Sequence, residues 1–217
     1  MAVRIVTDSA CDLTDDEISA LGIEVVPLSI RFGEEVQLDR DELSIDDFYR
    51  RMASSEHLPQ TAAPSPGAFA AAFGRQFEAG ADAVICINLS SGVSATMESA
   101  ELGAREVEGD VRIVDSRSVT AGLGVMVVAA ARAAANGASA DEVLALTADL
   151  QDRTRVYGAI DTLENLKKGG RIGNAQALLG SMLSIKPLID ISTGVVEEAG
   201  RQRTRRKSLI WLRDKVA

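Results

Sequence analysis

The stretch from Cys86 to Ala100, CINLSSGVSATMESA, carries five hydroxyl side chains, Ser90, Ser91, Ser94, Thr96 and Ser99, and neither lysine nor histidine. Two other turns have a similar hydroxyl-and-acid character: TDSACD, from Thr7 to Asp12, and DSRSVTAG, from Asp115 to Gly122. Neutral hydroxyls beside the unpaired N–H groups of a helix start can bind an anion through hydrogen bonds and the helix macrodipole, without a full positive charge. A carboxylate or a phosphate suits such a site. An arginine pair would hold a carboxylate strongly and blunt its reactivity, whereas hydroxyl donors orient it and leave it available. The candidate donors are Ser91 and Ser94, with Asp8, Ser9, Ser90, Gly92 and Ser116 as a supporting rim. Each residue alone also reads as a helix cap; three such turns brought together would make a site.

Each turn follows an apolar run. Val3–Thr7, Ala81–Asn88 and Val111–Asp115 are predicted strands, each leading through its turn into a helical pattern. This alternation implies a parallel sheet with helices on both faces, and in open sheets of that kind ligands bind beyond the carboxyl ends of the strands. The three turns are therefore expected side by side at one rim. Thr14 to Glu17 forms a capping box for a helix stopping near Gly22, and Ile23–Phe32 reads as a second extended run with Pro27 at an edge or bend. A helix starts at Ser44. Another has Ser65 as N-cap, Pro66 in its first turn and Gly80 as its stop. Gly137 closes a long alanine helix, and Ser139 with Glu142 caps one reaching about Arg153. From RVYGAID onward the pattern becomes strand, short helix, a glycine-marked turn KKGGRIG, an apolar helix from Ala175 to Ile185, and two strands joined by Thr193-Gly194. The expected fold class is α/β with two domains. Residues 1–153 form a three-layer α/β/α parallel-sheet domain holding the candidate anion site, and 154–217 form a smaller mixed-sheet α/β domain.

At 217 residues and 46% hydrophobic content the chain can bury a sizeable core. No uninterrupted apolar run is long enough for a membrane span, and the acidic start MAVRIVTDSACDL does not read as a signal peptide, so a cytoplasmic location is expected. Cys11 and Cys86 lie far apart, which suggests neither a disulfide framework nor a zinc site. The net charge of −9 argues against general nucleic-acid binding. It is unevenly spread: residues 1–150 hold 10 Arg and 25 acids, net −15, whereas 151–217 hold 13 bases and 7 acids, net +6. The asymmetry would help two domains associate, or offer a basic docking surface to a partner.

Enzyme chemistry finds weaker support. GVSAT, from Gly92 to Thr96, approaches a Gly-x-Ser-x-Gly elbow, but Thr96 replaces the last glycine and the lone His57 precedes the serine, the wrong order for that hydrolase family. A serine hydrolase or acyltransferase using Ser94 or Ser91 is the alternative, and a carrier of another amphipathic anion a third reading. No phosphate-binding GxxxxGK[ST] loop occurs, and Gly122 and Gly124 lack a full dinucleotide fingerprint. Asp8, Asp12 and Asp115 read as caps and turn formers before metal ligands. No cofactor or metal is expected.

Six motifs, VTDSACDL, QTAAPSPGAF, INLSSGVSATMESA, IVDSRSVTAGLG, DTLENLKKGGRIG and LSIKPLI, in this order and spacing, resemble the DegV family of bacterial fatty-acid-binding proteins. The resemblance implies a two-domain fold with a long-chain fatty acid between the domains. It also implies a non-catalytic carrier that presents the carboxylate to a separate ATP-dependent fatty acid kinase, which makes the acyl phosphate. Thr61 matches the family's head-group threonine, and Ser90, Ser91 and Ser94 match its serine-rich turn. Arg171, in the matching Gly169-Gly170-Arg171 turn, would contact the kinase. Ala62-Ala63-Pro64 stands where Ser-Gln-Pro is common, and the chain stops short of the family's usual end, so the second domain is expected to be cut short. Leu178, Leu179, Met182 and Leu183 are the expected walls for the lipid tail, methionine suiting variable chain length. The expected partners are a long-chain fatty acid and the kinase, with no nucleic acid and no integral membrane segment, and with transient membrane-surface contact allowed.

Overall fold

The computed structural model describes residues 2–178 and 185–216. Two compact units divide the chain, Met1–Arg153 and Thr154–Ala217. In the first unit the elements run β1 (Val3–Asp8), α1 (Asp15–Leu21), β2 (Glu24–Val26), β3 (Ser29–Phe32), β4 (Glu35–Leu38), α2 (Ile45–Ser54), β5 (Gln60–Ala62), α3 (Pro66–Glu78), β6 (Ala83–Asn88), α4 (Thr96–Ala104), β7 (Asp110–Asp115), α5 (Thr120–Ala135) and α6 (Ala140–Arg153). The second holds β8 (Tyr157–Ala159), α7 (Glu164–Lys168), β9 (Lys186–Asp190), β10 (Glu197–Gln202) and α8 (Arg205–Val216).

Four strands form a parallel sheet in the order β2-β1-β6-β7. Alternation along β1 and β6 sends Val3, Ile5, Ala83, Ile85 and Ile87 to one face, where they pack against Leu123, Val127 and Ala130 of α5 and Val143 of α6. Val6, Val84 and Cys86 point to the other face and meet Phe69, Ala72 and Phe73 of α3 and Ala100 of α4. Three layers result, as both faces of β6 are apolar and every residue of that strand is buried. The four strands run the same way, so their carboxyl ends, and the turns that follow, share one rim.

The extended run Ile23–Phe32 is two strands rather than one. Pro27 has no N–H to continue a ladder, and after it the chain leaves the parallel sheet. β3 instead joins a separate antiparallel sheet of order β4-β3-β5. This small sheet matters for the site because β5, inside what reads as a polar loop, carries Thr61.

In the second unit the expected mixed sheet is antiparallel throughout its three described strands, ordered β10-β9-β8, because the hairpin between β9 and β10 and the long return from β8 both reverse direction. Leu163, Ala175, Leu178, Ile189 and Val196 form its buried cluster. The apolar helix expected over Ala175–Ile185 is a tight 3-10 turn as far as described, Gly173–Leu178. No helix among the described residues is long and apolar enough to cross a membrane.

Close packing of α4 on α3 depends on Gly103. A Cβ there would lie 2.5 Å from the Pro66 carbonyl oxygen and 2.9 Å from the Phe69 Cβ, neither of which can swing aside. Helix propensity alone favours alanine by about 1 kcal/mol, so the sign of the effect reports the packing. Gly103→Ala is expected to lower the unfolding free energy by about 1–3 kcal/mol in urea denaturation. A gain in stability would mean that the two helices stand further apart.

Candidate functional site

At the end of β1 the Asp8 side chain is fully buried. Its Oδ2 accepts from the Leu89 N–H at 2.8 Å and from Asn88 Nδ2 at 3.2 Å, and its Oδ1 accepts from the Ala10 N–H at 3.1 Å. One carboxylate thus caps its own turn and fixes the end of the neighbouring strand β6. Burial pushes its pKa up to about 6, a rise that the bonds from Leu89, Asn88 and Ala10 oppose. Burial, and next the charge of Asp8, also raise the Cys86 thiol, which donates to Asn88 Oδ1 at 3.4 Å.

The serine turn after β6 is tied from its other side by β7. Asp115, the last residue of that strand, accepts from the Ser91 N–H at 3.2 Å through Oδ1 and from Ser91 Oγ at 2.5 Å through Oδ2. Its Oδ1 also accepts from the Arg117 N–H at 2.8 Å. Ser90 is buried; its N–H donates to the Ser118 carbonyl at 2.8 Å, and its hydroxyl accepts from the Gly92 N–H at 3.1 Å. The Ser90 carbonyl takes the N–H groups of Val93 and Ser94, both at 3.2 Å, which curls the turn toward α4.

Ser94 ends that turn half-buried, with its hydroxyl 2.8 Å from the buried Thr96 hydroxyl and accepting the Thr96 N–H at 3.3 Å. Either hydroxyl can be the donor of the pair, so Ser94 keeps a proton for a ligand whenever Thr96 supplies the one between them. α4 has Ala95 at its N-cap with no side-chain cap; Ser94 Oγ takes the Thr96 N–H, and the next N–H groups of the first turn, those of Met97 and Glu98, remain as donors. An open groove of about 450 Å³ lies here, lined by Ser91, Ser94, Ala95, Met97, Glu98 and Glu101.

The other candidates occupy different settings. Ser9 is buried, donating to Asp39 Oδ2 at 2.7 Å and accepting from the Leu28 N–H at 3.1 Å, so it ties the rim to the chain leaving β2. Ser116 is buried in its own turn, donating to the Ser118 carbonyl at 3.2 Å. Gly92 is exposed. Thr61 lies exposed on β5, opposite Ile30 of β3, in the small sheet, and no hydrogen bond joins it to the serine turn among the described residues. Leu178 is buried among Leu163, Ala175, Ile189 and Val196. Leu179, Met182 and Leu183 lie outside the described residues. Arg171 is exposed, and its guanidinium donates to the Gly169 carbonyl at 2.7 Å, folded back over a turn whose Gly170 has φ +73°.

His57 is exposed and its backbone bonds to Ser55, so no histidine joins the serine turn. No group of three or more His, Cys, Asp or Glu side chains among the described residues is placed to hold a metal ion. Asn88, which donates to Asp8, is absent from the sequence candidates, and Asp115 holds the neighbouring turn as well as its own. The available signal was positional: β1, β6 and β7 each end on Asp or Asn.

A profile described as "Uncharacterised protein, DegV family" matches residues 2–217. A DegV domain-containing protein of Deinococcus radiodurans is 37% identical over 216 residues, covering 100% of this chain and 76% of that protein. Among solved structures, a DegV family protein from Thermus thermophilus described by its fatty acid binding is 36% identical with a TM-score of 0.90, over 99% of this chain and 78% of that one. A stearic acid-binding protein from Eubacterium ventriosum is 28% identical, also at 0.90, over 98% and 76%. DegV from Bacillus subtilis, described as a fatty acid binding protein, is 30% identical at 0.89, over 100% and 77%.

The raised pKa of Asp8 has a stability consequence. Its folded value of about 6 exceeds the ordinary 3.8, so the proton binds more tightly in the folded chain; the stability this contributes is full below about 3.8 and lost as pH rises through about 6. Unfolding free energies of wild type and Asp8→Asn, compared from about pH 4 to about pH 7, are expected to shift against wild type by on the order of 1–3 kcal/mol. A constant difference across that window would place Asp8 at an ordinary carboxylate value.

Proposed function

The chain belongs to the DegV family, and from that premise we propose that it is a long-chain fatty-acid carrier. Thr61 and Ser94 donate hydrogen bonds to the carboxylate, and the first N–H groups of α4 assist. The observation that carries this reading is the start of α4, where the Ser94 hydroxyl, which holds only the first N–H of the helix, and the N–H groups that follow it meet an open groove. The fatty acid binding described for the Thermus thermophilus, Eubacterium ventriosum and Bacillus subtilis proteins supports the choice of ligand.

The tail supplies affinity and the head group supplies orientation. Each buried methylene is worth about 0.8 kcal/mol, so about a dozen give on the order of 10 kcal/mol before ordering costs. We assign the tail to Leu178, Leu179, Met182 and Leu183. The carrier acts in the cytoplasm and has no catalytic residue of its own; a separate ATP-dependent kinase phosphorylates the presented carboxylate, and Arg171 is its contact. A hydrolase using Ser94 would need a base beside that serine, and its hydroxyl partner is Thr96.

A hydrogen bond to a charged acceptor is worth about 1.5–3 kcal/mol, so Thr61→Val or Ser94→Ala should weaken palmitate binding about ten- to hundredfold while leaving tail-driven binding in place. Calorimetric titration of both variants, with melting temperatures measured beside it, tests the reading. Unchanged affinity in both would place the carboxylate elsewhere.

Arg171→Glu should slow phosphorylation of the bound acid by the kinase of the same organism at least about tenfold, with palmitate affinity unchanged, because an exposed turn can meet a partner without touching the lipid. Parallel loss of binding and phosphorylation would move Arg171 from the docking surface to the pocket or the fold.

A further inference from the structure

Ser91 is exposed and lines the groove beside half-buried Ser94, and both of its donors are already engaged. The N–H and the Oγ each donate to a different oxygen of Asp115. That carboxylate is held in turn: its Oδ1 also accepts from the Arg117 N–H at 2.8 Å, and the Asp115 carbonyl accepts from Gln151 Nε2 of α6 at 2.7 Å. The next residues of the turn, Val93 and Ser94, fold back on the Ser90 carbonyl, so the position of Ser91 sets where Ser94 and the start of α4 stand. Asp8 grips the same segment one step earlier through the Leu89 N–H. The serine turn is thus clamped between acids that end the strands on either side of β6.

We propose that Asp115 is a positioning residue for the head-group site. It acts through Ser91, whose hydroxyl serves the clamp and gives nothing to the ligand. This rests on the carrier reading for what Ser94 binds, though not for the clamp itself. The arrangement has an electrostatic logic. An aspartate facing a bound carboxylate would repel it, and two donors from Ser91 answer that charge locally. A serine in both roles would have one proton for two anions. The single hydroxyl proton of Ser91 goes to the fixed one.

The test has a ligand-free arm and a ligand-bound arm. In the ligand-free protein, Asp115→Ala should raise amide hydrogen exchange at Ser91, Ser94 and Thr96 by about tenfold or more while the core of β6 stays protected. Unchanged exchange there overturns the clamp whether or not palmitate binds. With palmitate, Ser91→Ala and Asp115→Ala should each weaken binding about three- to tenfold, and the double variant should be no weaker than the worse single one, since both remove the same contact. Ser91→Thr, which keeps the hydroxyl, should restore wild-type affinity, a rescue that a general loss of packing would not show. Additive losses would make Ser91 an independent donor to the ligand and sink the proposal. A wild-type protein that binds no palmitate, with exchange at the turn still dependent on Asp115, would defeat the carrier reading and leave the clamp standing.

Discussion

The bond from the Leu89 N–H to the buried Asp8 carboxylate is the contact on which the rim depends. Parallel strands are joined by evenly spaced ladder bonds that stop where the strands stop, and beyond that point each turn must find its own partners. Asp8 supplies them for two turns at once, capping the residues after β1 through one oxygen and holding the start of the serine turn through the other. Removing a carboxylate from water is costly unless its lone pairs are filled. Three donors fill them here, and the burial that remains uncompensated keeps its pKa near 6.

A site for an anion in such a setting works by balance of small terms. Asp115, Glu98 and Glu101 stand at or beside the groove, and the first 150 residues carry a net charge of −15. On the carrier reading the carboxylate is therefore held by hydrogen bonds and a helix terminus against an unfavourable field, and the hydrocarbon tail carries the affinity. Donors contributing about 1.5–3 kcal/mol each hold a carboxylate less rigidly than a buried ion pair would.

Much of the fold could be read from the chain because the apolar runs of the parallel sheet and the caps of its helices agree. Ala81–Asn88 is short, apolar nearly throughout and rich in β-branched residues, the pattern of a strand buried on both faces; Thr14-Asp15-Asp16-Glu17 and Ser65-Pro66 announce their helices through caps whose bonds the structure contains. The small antiparallel sheet was not legible, since β5 is three exposed residues inside a polar stretch and β3 owes its place to Pro27 turning the chain out of the parallel sheet. For the site, residue type marks the hydroxyls of the turn without showing which partner each one takes. A serine beside a groove and a serine bonded to an aspartate look alike in sequence. The partner of Ser91 lies 24 positions away, and only the parallel pairing of Asn88 with Asp115 brings it near.

Backbone strain points to the same rim by an independent route. The non-glycine residues with left-handed φ among those described are Asp12, Arg40, Arg117 and Thr120. Asp12 closes the turn after Asp8, Arg117 lies in the turn after Asp115, and Thr120 opens α5 where that turn ends. Arg40 follows Asp39, the acceptor of the Ser9 hydroxyl. Each such residue costs on the order of 1 kcal/mol and persists only where its surroundings overdetermine it. At Arg117 the overdetermining bond is visible: the strained residue turns its N–H onto Asp115 Oδ1, the oxygen that also takes the Ser91 N–H. Strain in one turn is thereby exchanged for a fixed acceptor facing the next. A sheet that needed only to be stable would place glycine or asparagine at those positions. Keeping arginine and threonine there makes sense if the geometry of the serine turn, and through it the direction in which Ser94 presents its hydroxyl, is what the strained residues maintain.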